Sequence, residues 1–221
     1  MSYTIAFWPR RRRPSRQQVE AWLVDRPGWS LGADRVSYWN PATGVYFGLD
    51  WQTDSAPAPV RFDLEVFRPE SFALEATPEL AALVEAFGLD VALPGQDPAP
   101  FEPEAFLRSW RALNTEACGM RVGELDAPHG TLPRAVNVAV WKWNRCREAY
   151  VDRLSTVEMI PCLPPPVQLL VPYGDRTTVL TATVWTAGSP IALPEVDVVL
   201  ASDGPDLAPQ AIPQVSLRPW L

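Results

Sequence analysis

Histidine is almost absent from this 221-residue chain, in which His129 stands alone. Metal sites built on several histidines are thereby excluded, and a nucleophile activated by a histidine base has one candidate. Cysteine is scarce as well. Cys118, Cys146 and Cys162 are odd in number, widely spaced and without a C-x-x-C pair. That pattern excludes a thiolate metal site, gives no disulfide framework and suits a reducing compartment. No run of about 18 apolar residues occurs, so no transmembrane helix is expected. The phosphate-cradling glycine loops, the G-x-S-x-G nucleophile turn and the D-x-D-x-D-G calcium loop are all missing. No catalytic set, metal site or cofactor is therefore expected.

What the chain does have is apolar surface and acid. Ten tryptophans and a hydrophobic fraction of 47% against 20% charged residues indicate a folded core rather than a disordered polymer. The net charge is −7, although 19 basic side chains are present, all arginine except Lys142. Nucleic acid is a poor partner for such a chain, because phosphate binding rests on clustered positive charge. A basic protein partner suits it better, since complementary charge speeds encounter. Arg10 to Arg13 resembles the twin-arginine start of an export signal. No apolar segment follows, because Arg16, Gln17, Gln18, Glu20 and Asp25 interrupt at once. The run reads as a solvated loop, and the expected location is cytoplasmic.

Periodicity places the elements. Tyr3, Ile5 and Phe7 alternate with smaller or more polar neighbours, a strand pattern. Ser15 and Gln18 have the spacing of a capping box ahead of a helix with Val19, Trp22 and Leu23 on one face. Strands are expected over Arg35 to Asn40 and Val45 to Trp51, joined by Pro41-Ala42-Thr43-Gly44. Val60, Phe62, Leu64 and Val66 alternate with Arg61, Asp63 and Glu65, which predicts an antiparallel strand with one wet face. A helix is expected to begin at Thr77-Pro78 and end at Gly88. Further helices are expected from Pro103 and from Pro133 to about Leu154. The last third reads as strands over Val167 to Val171, Thr177 to Trp185 and Ile191 to Leu200. Strands, then helices, then strands imply an α+β fold, a mainly antiparallel sheet with helices on one face. A single domain over 1–221 is expected, with the proline-rich 155–166 segment as the place where a subdomain boundary would fall.

Carboxylates are the only abundant chemistry. Asp63 and Glu65 share one side of the clearest strand, about 7 Å apart by strand geometry. Glu195 and Asp197 stand in the same i, i+2 relation. Such pairs serve acid–base work where a site converges on them; otherwise they are the solvated side of an antiparallel strand. Trp22, Trp110 and Trp143 lie on apolar helical stripes and are expected in the core. Trp29, Trp39, Trp51 and Trp220 do not, and an exposed cluster among them would mark a binding surface.

Several phrases resemble a group of uncharacterised bacterial cytosolic proteins. They are Met1-Ser2-Tyr3 with Phe7-Trp8, Asn40-Pro41 through Gly44-Val45-Tyr46-Phe47, and Phe67-Arg68-Pro69 followed by Phe72-Ala73-Leu74-Glu75-Ala76. Val184-Trp185 followed by Ile191 to Asp197 completes the set. Some short proteins with a similar opening look like immunity partners of secreted or contact-dependent toxins. The resemblance implies an inhibitor-type binding protein. Together with the missing catalytic set and the net charge of −7, it leads to the expectation of an immunity protein that masks a toxin domain with an acidic, aromatic-containing surface, and the paired carboxylates Asp63, Glu65, Glu195 and Asp197 are the expected contacts. The competing expectations are a hydrolase-like enzyme with a carboxylate site assembled only in space, and a structural or regulatory module of a larger assembly.

Overall fold

The computed structural model describes residues 1–32, 35–51, 60–122, 132–154, 163–173, 176–186 and 194–202. Its backbone divides into two compact units, Met1–Glu124 and Leu125–Leu221. The proline-rich 155–166 stretch belongs to the second unit, and 155–162 lie outside the described residues. The α+β expectation holds. A six-stranded antiparallel sheet with helices forms the first unit, and a second, three-stranded sheet follows in the second.

The first unit runs β1 (Ser2–Pro9), α1 (Arg16–Leu23), β2 (Trp29–Leu31), β3 (Arg35–Asn40), β4 (Val45–Trp51), β5 (Val60–Glu65), α2 (Ser71–Phe87), β6 (Leu89–Ala92) and α3 (Pro103–Val122). The strand order is β2-β3-β4-β5-β1-β6. Register explains the two faces. Ile5 stands opposite Phe62, Phe62 opposite Leu49 and Leu49 opposite Val36, so one row of buried apolar residues crosses four strands. Aromatic contacts bind this face together. Tyr38 stacks on Phe47 with ring centroids 4.3 Å apart, Phe47 meets Phe62 at 5.4 Å, and Phe106 of α3 meets Tyr3 at 5.7 Å. Burial raises the Tyr3 hydroxyl to about 12.

Local signals act where they were read. The Ser15 side chain accepts from the Gln18 N–H, and the Gln18 side chain accepts from the Ser15 N–H at 2.9 Å, completing the capping box. Gly88 ends α2 in the left-handed conformation at φ 60°. The start of α2 differs from expectation. The helix begins at Ser71, and Pro78 lies inside it. Phe72, Ala73, Ala76 and Leu80 form one buried stripe, and their burial outweighs the local start signal of Thr77-Pro78. The Thr77 hydroxyl donates to the Ala73 carbonyl at 2.7 Å, one turn back inside the same helix.

The second unit holds α4 (Arg134–Leu154), β7 (Val167–Tyr173), β8 (Arg176–Thr186) and β9 (Val198–Ser202). β7 and β8 are antiparallel, as expected from the Gly174-Asp175 turn sequence, but β9 runs parallel to β8. The expected return strand from Ile191 is thus corrected for its described part: pairing begins at Val198, opposite Ala182. Asp197 forms the entry to that strand. Its N–H donates to the Thr181 carbonyl at 3.0 Å, which brings the chain alongside β8 before the ladder starts.

Trp110 is buried as expected, whereas Trp22 and Trp143 are half-buried. Trp143 Nε1 donates to the Pro164 carbonyl at 3.0 Å, tying α4 to the segment before β7. Among the described residues no helix is long and apolar enough to cross a membrane.

Candidate functional site

Alternation along each strand puts a second set of side chains on the opposite side of the six-stranded sheet. Ser2, Thr4, Ala6 and Trp8 come from β1, Arg35, Ser37 and Trp39 from β3, Tyr46, Gly48 and Asp50 from β4, and Arg61, Asp63 and Glu65 from β5. Phe106 of α3 and Glu75 of α2 meet the other side, at Tyr3, Phe62 and Tyr38, while Phe72 at the start of α2 meets the Tyr46 ring edge-on at 5.4 Å. This open face is the wet side expected for Asp63 and Glu65, and both are partly exposed on it.

At one end of the face Trp39 stands directly opposite Tyr46 across the β3–β4 pair. Trp39 is 61% exposed and Tyr46 39%. Tyr46 is held from several sides. Its hydroxyl donates to Glu65, the Arg68 guanidinium donates to that hydroxyl at 2.5 Å, and Arg68 also lies over the ring at 5.2 Å. Arg68 Nε reaches Glu65 at 2.8 Å. The hydrogen bond from Tyr46 lowers the Glu65 carboxyl, with Arg68 adding to the effect, and the same bond raises the Tyr46 phenol. The result is a three-membered Glu65–Tyr46–Arg68 set that fixes one exposed aromatic in a single pose.

In the middle of the face Asp63 stands opposite Gly48, and Asp50 stands opposite Arg61. Asp50 and Asp63 are thus diagonal neighbours on one side of adjacent strands, a separation side chains can close. Thr4, opposite Asp63 on β1, donates its hydroxyl to Asp63 Oδ1 at 2.5 Å. Arg35 of β3 reaches Asp50 at 3.5 Å. Gly48 makes room for it: a Cβ at this position would overlap the Arg35 guanidinium. Burial raises the Asp50 carboxyl first, and Asp63 raises it further, while Arg35 and Arg61 pull it down. Beside the pair lies a shallow hollow of about 420 Å³ bounded by Met1, Ser2, Arg35, Tyr46, Asp63 and Glu65.

The other expected contacts lie in the second unit. The Asp197 carboxylate accepts from the Thr181 N–H at 2.8 Å and from the Thr181 hydroxyl at 2.7 Å, so it is engaged in joining β9 to β8. Glu195 is exposed. Sequence reasoning missed Asp50, Thr4 and Arg35 because none is a neighbour of Asp63 in the chain. The parity of Tyr46, Gly48 and Asp50 along β4 was the available signal. The Cys118 thiol is half-buried beside Asn114, while His129, Cys162 and Trp220 lie outside the described residues. Among the described residues no group of histidine, cysteine or carboxylate side chains is arranged to hold a metal ion.

The Arg10 to Arg13 run lies directly after β1, as a loop. Arg10 pairs with Asp90 at 2.7 Å. The chain matches no protein-family model, no curated protein and no solved structure.

Proposed function

We propose that this chain is a protein-binding protein that seats a basic partner surface on the open face of its first unit, with Trp39 and Tyr46 at the contact centre. The resemblance in its sequence makes the partner a toxin domain and the chain a cytoplasmic immunity protein of bacterial type. The observation that carries the reading is the directly opposed Trp39–Tyr46 pair, two large aromatics presented on a polar sheet face. Exposed aromatics of this kind are enriched among the residues that dominate binding energy. Tyr46 is already fixed by Glu65 and Arg68, so little side-chain entropy is left to lose on docking. Asp63 and Glu65 line the hollow beside it together with Arg35, and the net charge of −7 favours approach of a basic partner.

The test is co-expression with the product of the adjacent gene, followed by affinity capture and titration. A stoichiometric complex that relieves the neighbour's toxicity is expected. Trp39→Ala should weaken it at least about 30-fold, the loss of roughly 2 kcal/mol typical of a central aromatic contact. Affinity within twofold of the parent, with the far-ultraviolet circular dichroism unchanged, would remove this face from the interface.

A second reading is favoured by the Asp50–Asp63 pair beside the hollow. Two carboxyls with unequal environments can divide the roles of general acid and general base. Hydrolysis of a panel of glycosides and esters that disappears in Asp63→Asn would select this reading over the first.

A further inference from the structure

We propose that Arg35 is a third anchor of the open face, beside Trp39 and Tyr46, and that its guanidinium takes up a carboxylate. The partner surface that fits is then a basic one with an aspartate or glutamate opposite Arg35. The protein occupant rests on the binding reading above; the carboxylate chemistry rests on Arg35 and its surroundings.

Arg35 has a partner in register but is not consumed by it. The β3–β4 pair places it directly opposite Asp50, where opposite charges normally close across the strands. The contact is a single one of 3.5 Å from Nε. Charge-assisted hydrogen bonds between guanidinium and carboxylate close to about 2.7–2.9 Å. Arg10, Arg16, Arg26, Arg68 and Arg111 all reach their carboxylates at 3.0 Å or less. Among the described residues no acceptor takes a hydrogen bond from the Arg35 guanidinium. Its fork of donors is left for something else.

Gly48 fixes where that fork lies. A Cβ at position 48 would overlap Nε, Cζ and Nη2 of Arg35, so the guanidinium rests on the bare backbone of β4. Glycine inside a strand weakens it and marks a place where another group approaches closely. Here it beds a cation on the sheet, with 48% of the side chain still exposed and the hollow beside Tyr46 at its edge. A guanidinium bedded in this way has less rotamer freedom to lose on docking. Its planar fork matches a carboxylate with two parallel hydrogen bonds, which a lysine cannot reproduce.

The neighbouring acids do not fill that place. Thr4 donates to Asp63, and Tyr46 and Arg68 hold Glu65. Asp50 stands between Arg35 and Arg61 in one row across β3, β4 and β5. Arg35, Arg61 and Arg68 cancel Asp50, Asp63 and Glu65 in formal charge, so this part of the face is balanced although the whole chain carries −7. A singly charged carboxylate is accommodated there. A phosphate group, with its second charge, meets stronger repulsion from the three acids.

The experiment is arginine Nε–Hε NMR of the full chain, without any partner, titrated with sodium acetate and with sodium chloride at equal ionic strength. Acetate should move the Arg35 signal saturably, with a Kd on the order of 10 mM. Arg11, an exposed arginine outside the face, should bind acetate at least about threefold more weakly, because nothing beds its guanidinium. Gly48→Ala, which displaces the guanidinium and keeps its charge, should bring Arg35 to the Arg11 response. Equal responses at Arg35 and Arg11 in the parent overturn the proposal, as does a Gly48→Ala protein whose Arg35 binds acetate like the parent. In a complex with the neighbouring gene's product, Arg35→Lys should weaken binding at least about tenfold, and a complex of parental affinity would remove Arg35 from the anchors. Absence of any complex sinks the binding reading and the protein occupant with it, whereas the acetate titration decides the carboxylate site by itself.

Discussion

The Tyr38 hydroxyl donates to Glu75 Oε1 at 2.8 Å across the interface between β3 and α2, and Glu75 is only 1% exposed. The same oxygen accepts from Asn40 Nδ2 at 2.6 Å, while Asn40 Oδ1 accepts from the Ala42 N–H in the β3–β4 turn. One buried carboxylate thus ties the helix to a strand and to the turn that follows it. Burial raises the Tyr38 phenol, and the hydrogen bond to Glu75 raises it further, so Tyr38 stays a donor throughout the physiological range.

Removal of the acceptor should be more harmful than removal of one donor. Tyr38→Phe deletes a single hydrogen bond and keeps the stacked ring, at a cost of about 1–2 kcal/mol. Glu75→Ala leaves the Tyr38 hydroxyl and the Asn40 amide without this acceptor and opens a cavity, at a cost of about 3–5 kcal/mol. Urea unfolding of both variants measures the difference. Equal costs would mean that Glu75 is not the organising group.

Pro78 carries the opposite expectation. It lies inside α2 and is exposed, so it withholds an N–H from the Leu74 carbonyl without filling core space. Pro78→Ala restores that donor and should raise stability by about 1 kcal/mol or more. A thermal midpoint below the parent would instead show that the proline sets a bend on which the Phe72 to Leu80 stripe depends.

The legibility of this chain follows from the range of the forces involved. The alternation of Val60, Phe62, Leu64 and Val66 records a burial preference within one strand, and β5 appears where that pattern stands. The Ser15 and Gln18 capping box is equally local. β2 and β6, with three and four residues, are too short to show a period and were not read. Their place comes from pairing, as in Trp29 opposite Tyr38 and Val91 opposite Phe7. The α2 boundary was misread because a strong local signal at Thr77-Pro78 competed with a tertiary one, the burial of Phe72 and Ala73. The candidate site was half legible for the same reason. Asp63 and Glu65 share a face through their own spacing, but the partners that change their chemistry, Asp50, Thr4, Arg35, Tyr46 and Arg68, arrive through register and through the turn after β5. A carboxylate's neighbours within a strand can be counted; its neighbours across the sheet depend on a pairing that no single segment encodes.

Asp197 tests how far an acidic residue on a β-entry belongs to the fold. Its carboxylate accepts two hydrogen bonds from Thr181, and its own N–H donates to the Thr181 carbonyl and lies 3.1 Å from the hydroxyl. Thr181 is buried, so loss of that carboxylate leaves a buried N–H and hydroxyl to find other partners. Asp197→Ala should therefore cost about 2–3 kcal/mol and speed amide hydrogen exchange at Thr181 and along the β8–β9 pair. Asp197→Asn, which keeps an acceptor oxygen in place, should recover part of the loss. The exposed Glu195 two residues earlier gives the control: Glu195→Ala should change stability by less than about 0.5 kcal/mol. Equal effects at the two positions would mean that the Asp197–Thr181 bonds do not hold β9 in place, and the parallel strand would then owe its position to the burial of Val198.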